Sequence, residues 1–79
     1  MNRMLYVVEI RRGHDELSTI MGRIREWLDA QHYQPDAFRC STDDAMVTCR
    51  LEFKDENEAI ACARAFSGEM RSLGYKAAE

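Results

Sequence analysis

The chain has 79 residues, of which 46% are hydrophobic and 32% charged, and its formal net charge is −3. That length holds one domain, residues 1–79, and the composition is that of a folding chain rather than a disordered one. The acidic balance disfavours nucleic-acid binding through a broad basic face.

Three cysteines, Cys40, Cys49 and Cys62, form no CxxC or other close pair. An odd, scattered set argues against a disulfide framework and for a reducing, cytoplasmic setting. The first apolar run breaks at Glu9, too short for a signal peptide or a membrane span. Domains of this size bury roughly 60% of their extended-chain surface and often gain stability by oligomerising.

Met4 to Arg11 is rich in β-branched and aromatic residues and closes at Arg12-Gly13, which predicts a strand. Both of its alternation sets are apolar: Met4, Tyr6, Val8 and Ile10 on one side, Leu5 and Val7 on the other. Such a strand is central or has its second face covered. His14 to His32 is the longest periodic stretch. Leu17, Ile20, Met21, Ile24, Trp27, Leu28 and Gln31 fall on one helical stripe, with the only tryptophan as its anchor. His14 or Asp15 is the expected cap, Gly22 implies close contact with the sheet, and Pro35 ends the helix near His32-Tyr33.

Ala37 to Ser41 and Met46 to Phe53 read as a hairpin turning at Thr42 to Ala45. The second strand alternates cleanly, with Val47, Cys49, Leu51 and Phe53 on one face. A turn centred near Asp44-Ala45 sets Cys40 opposite Cys49; a turn centred on Asp43-Asp44 sets Phe38 there instead. Asp55 caps a second helix whose apolar stripe, Ala59, Ile60, Ala63, Phe66, Met70 and Leu73, runs to about Leu73 with Gly74 as terminator. An end at Ser67-Gly68 is the alternative, and Tyr75 to Ala78 is left for a short final strand.

This order, β-α-β-β-α with a short C-terminal β4, predicts an α+β, ferredoxin-like two-layer sandwich with an antiparallel sheet and both helices on one face. The expected core is Leu5, Val7, Ile20, Ile24, Trp27, Leu28, Val47, Cys49, Leu51, Phe53, Ile60, Ala63 and Phe66, although the two apolar sides of the first strand leave its buried face open. An apolar sheet face needs cover, and a second copy is the commonest cover. The expectation is therefore a homodimer through the open sheet face or the edge of the first strand, with Met4, Tyr6, Val8, Ile10 and Thr48 as the candidate interface.

Chemistry is thinly signalled. Leu5 to Ile10 resembles the first-strand signature of RNA-recognition modules, which implies an aromatic, Tyr6, on the sheet face. That family's third strand carries two exposed aromatics, whereas this chain offers Met46, Thr48, Arg50 and Glu52, so nucleic acid is not the expected partner. His14, His32 and the cysteines have metal-ligand chemistry but no metal-site spacing, and no cofactor is expected. Cys40 with His32 is the one thiol–base pair that a small enzyme with its site in a dimer cleft would use. Arg39 and Arg50, placed as cross-strand neighbours, are candidates to hold an anionic ligand or a partner's carboxylate. The leading expectation is a regulatory or accessory module that acts by binding a protein or small ligand.

Overall fold

β1 spans Asn2–Gly13 in the computed structural model, which describes residues 2–76 and the side chains of residues 4–73. The strand outruns the predicted Met4 to Arg11 at both ends because each edge is paired. Tyr6 to Gly13 pair antiparallel with β3 (Met46–Phe53), and Asn2 to Glu9 pair antiparallel with β4 (Glu69–Lys76). β2 (Ala37–Thr42) pairs with β3, giving a four-stranded antiparallel sheet in the order β2-β3-β1-β4.

After β1 the chain makes one 3₁₀ turn, His14–Glu16, and enters α1, Leu17–Gln31. Neither expected residue caps it: no side chain accepts a hydrogen bond at either start, and the His14 N–H donates instead to the Ala45 carbonyl at 3.0 Å. The helix ends as the proline predicts. His32 turns left-handed (φ 61°), and the Tyr33 N–H donates to the Leu28 carbonyl at 3.0 Å. Gly22 is exposed, with nothing within 4 Å of where a Cβ would lie, so it marks no helix–sheet contact.

In the hairpin the Asp43 N–H donates to the Met46 carbonyl at 3.0 Å, and Asp43 Oδ1 accepts from the Met46 N–H at 3.2 Å. The turn is thus centred on Asp44-Ala45, and Cys40 stands opposite Cys49.

α2, Glu56–Phe66, begins as predicted, with Asp55 Oδ1 accepting from Asn57 N–H (2.8 Å) and Glu58 N–H (3.3 Å). It stops seven residues before Leu73. Ser67 turns left-handed (φ 53°), the Gly68 N–H donates to the Ala63 carbonyl at 2.8 Å, and β4 follows at once. Met70 and Leu73 keep helical spacing by coincidence. As strand residues they take opposite faces, Met70 against the core and Leu73 exposed. Gly68 allows the turn to lie on β1, since a Cβ there would sit 2.8 Å from the Glu9 carbonyl oxygen. Of the expected final strand, Tyr75 lies in β4, while Ala77 and Ala78 fall outside the described residues.

The core joins Val8 and Ile10 of β1 and Val47, Cys49, Leu51 and Phe53 of β3 to Ile20, Ile24 and Leu28 of α1 and Ala59 and Cys62 of α2. Tyr6 packs at its margin, as does Trp27, which meets Tyr33 and Phe66 edge-on at centroid distances of 5.6 and 5.7 Å. On α2 the buried positions are Ala59 and Cys62 rather than Ile60.

β1 is therefore settled in the sense that removes part of the expected interface. Val8 and Ile10 are fully buried, Tyr6 shares their side, and Leu5 and Val7 take the opposite face.

The two glycines give opposite expectations. Gly22→Ala should stabilise the protein by about 0.5–1 kcal/mol, because alanine is the better helix former and meets open space. Gly68→Ala should destabilise it by about 1–3 kcal/mol, because its Cβ meets backbone. Urea titration of both variants reads the signs directly.

Candidate functional site

The sheet face opposite the core is where exposed side chains of all four strands come together. The alternation places Leu5, Val7, Glu9 and Arg11 of β1 there, beside Thr48, Arg50 and Glu52 of β3. Ala37, Arg39 and Ser41 of β2 and Glu69, Arg71 and Leu73 of β4 complete it. Its exposed apolar residues lie towards its ends: Met46 of β3, 40% exposed, belongs to the same face. Val7 is only 3% exposed, and Leu73, 43% exposed, stands opposite the half-buried Leu5 at one end.

Charge organises the rest. One row crosses the whole sheet: Glu69 pairs with Glu9, Glu9 with Arg50, and Arg50 with Arg39. Its β4–β1 half is acidic and its β3–β2 half basic. The neighbouring row runs Arg71, Val7, Glu52, Ala37. Arg71 Nη2 donates to Glu9 Oε1 at 2.5 Å, and Arg50 Nε lies 3.5 Å from Glu52 Oε2. Arg39 stands directly opposite another arginine, an arrangement that costs stability when nothing offsets it. Among the described residues, no carboxylate lies within ion-pair distance of Arg39 or of Arg11.

Of the candidate residues named from sequence, Thr48, Arg39 and Arg50 share this face. Tyr6, Val8 and Ile10 do not, and Met4, though 44% exposed, belongs to their side of the strand. Glu9, Glu69, Arg71 and Arg11 went unrecognised. The signal for Glu9 and Arg11 was present, since they alternate with Val8 and Ile10. Glu69 and Arg71 were hidden inside a predicted helix.

On the core side, Cys40 and Cys49 are joined as a disulfide with a Cα–Cα separation of 4.0 Å. This corrects the expectation that the three cysteines form no disulfide, and it removes their argument for a reducing setting: register alone brought Cys40 and Cys49 into the close cross-strand position. Bonded to Cys49, Cys40 offers no thiolate to pair with His32, which caps α1 from an exposed position. Cys62 is the free cysteine of the described chain, and burial pushes its thiol from an ordinary 9.0 up to about 12.

A shallow groove of about 460 Å³ lies between the end of α1 and β2, lined by Arg25, Leu28, Tyr33, Pro35 and Phe38, with the Arg25 guanidinium 5.8 Å from the Phe38 ring centre. Among the described residues, no three His, Cys, Asp or Glu side chains cluster to hold a metal, and no helix is long and apolar enough to cross a membrane. No protein-family model matches the chain, and no curated protein or solved structure does either.

Cys62 sets one pH dependence. The folded state keeps its proton while the unfolded chain releases it near 9, so this stabilisation is full below pH 9 and is lost as pH rises towards 12. Urea midpoints between pH 8.5 and 10.5 should fall more steeply for the wild type than for Cys62→Ala; equal slopes would exclude the thiol as the source.

Proposed function

We propose that this chain is a ferredoxin-like sandwich, with both helices on one face of the sheet, that works as a homodimeric binding module in a regulatory or accessory role. The order β2-β3-β1-β4, with all neighbours antiparallel, supports the sandwich. The single observation that carries the homodimer is the row Glu69–Glu9–Arg50–Arg39.

Two copies stacked face to face must be related by a two-fold axis lying between the sheets. If that axis runs along the strands, between β1 and β3, it reverses the row. Glu69 and Glu9 of one copy then lie over Arg39 and Arg50 of the other, twice. Arg11 falls over Thr48, so no like charges meet. An axis across the strands at that row sets each of its residues over its own copy, acid on acid and base on base. The same surface is thus self-complementary in one stacking and repulsive in the other, which is how charge selects an interface geometry. The exposed Leu73 beside Leu5 adds apolar surface to the same face.

Light scattering over a concentration series tests this reading. The wild type should be a dimer that weakens as salt rises. R39E/R50E and E9K/E69K should each be monomeric, because each makes the row a single sign, and an equimolar mixture should recover a heterodimer. Variants that stay dimeric alone would place the interface elsewhere, and a monomeric wild type would overturn the dimer.

A further inference from the structure

The Cys40–Cys49 pair lies directly behind the basic half of this row. Along the hairpin it falls between the Arg39–Arg50 pair and the Ser41–Thr48 pair, one residue from each. Among the described residues β2 is an edge strand paired with β3 alone, and none of its side chains is fully buried; Phe38 and Cys40 are half-buried against the core. Beyond the hairpin turn, the disulfide is a covalent crosslink that holds β2 to β3. We propose that this disulfide is a reversible redox site, and that its state controls self-association by fixing or releasing the strand that presents Arg39.

The inference rests on the homodimer reading for its consequence, though not for the chemistry of the bond. Cys49 is fully buried in the core, whereas Cys40 lies on the edge strand and is only half-buried, which makes it the sulfur open to attack. A thiolate of a dithiol reductant attacks Sγ of Cys40, the Cys40–Cys49 bond breaks, and Cys49 leaves as a thiolate that takes a proton. The reductant's second thiolate then attacks its own sulfur in the mixed disulfide and releases Cys40, which is protonated in turn. Two electrons enter the protein, and the reductant departs as a disulfide. Oxidation by a small disulfide reverses each step. Cys62, buried and without a sulfur partner, stands aside from the exchange.

Reduction loosens β2 for a steric reason. At a Cα separation of 4.0 Å two thiols need more room than a bonded pair, and the edge strand is what can move. Arg39 then loses its fixed place over the acidic half of the second copy.

Three measurements on the full chain, equilibrated in oxidised glutathione or in dithiothreitol, test the proposal. Alkylation after denaturation should count one thiol in the oxidised protein and three in the reduced. Hydrogen exchange at Phe38 to Thr42 should quicken about tenfold on reduction. The dimer dissociation constant should rise about tenfold. The double variant C40S/C49S should match the reduced wild type, whose far-UV circular dichroism shows whether the fold persists. Three thiols in the oxidised protein would overturn the proposal. So would unchanged exchange, or a dimer of equal strength in both states. Two monomeric forms would overturn the homodimer itself, with thiol count and exchange still reporting on the crosslink.

Discussion

Pairing of β1 along both edges is the constraint on which the molecule depends. Residues 6–9 bond to β3 on one side and β4 on the other, while the strand's two ends each serve one neighbour. Val8 and Ile10 anchor the core from this central position and fix which side of the sheet meets Ile20, Ile24, Leu28, Ala59 and Cys62. A one-residue slip of β1 would send Val8 and Ile10 to the charged face and Glu9 into the core. Burying that carboxylate unpaired is far more costly than losing one apolar contact.

The same alternation builds the exposed face. Each strand contributes every second residue, so Glu9, Arg50, Arg39 and Glu69 align in a single row although they are widely separated in sequence. Individual exposed ion pairs contribute little, typically about 0–1 kcal/mol. The weight of the row lies in its order: acidic over one half of the sheet, basic over the other. The cysteine pair behind the basic half belongs to the same register, set by the Asp43–Met46 turn.

The second half of the chain shows how a local pattern can mislead. Ala59, Ala63, Phe66, Met70 and Leu73 have helical spacing throughout, and the break at Ser67-Gly68 was a weaker signal than their periodicity. The free edge of β1 decides otherwise. A strand over Glu69–Lys76 satisfies eight positions of that edge, and Gly68 lets the chain approach closely enough to form it. Gly22 misled in the other direction. Its place on α1 suggested a tight contact, but helix and sheet meet along Ile20, Ile24 and Leu28 instead.

Local chemistry was readable from the amino-acid order wherever neighbours in sequence act on one another. The alternation of β3, the Asp55 cap, the end of α1 before Pro35 and the hairpin between β2 and β3 all depend on residues within a few positions. The buried side of β1 was also legible, because Glu9 and Arg11 share the side of Leu5 and Val7 and leave Val8 and Ile10 for the core. Tertiary structure decided the rest. It alone decided where α2 yields to β4, because the partner edge lies some sixty residues away in sequence. The charged row depends on the register of three strand pairs at once, and no local propensity encodes that.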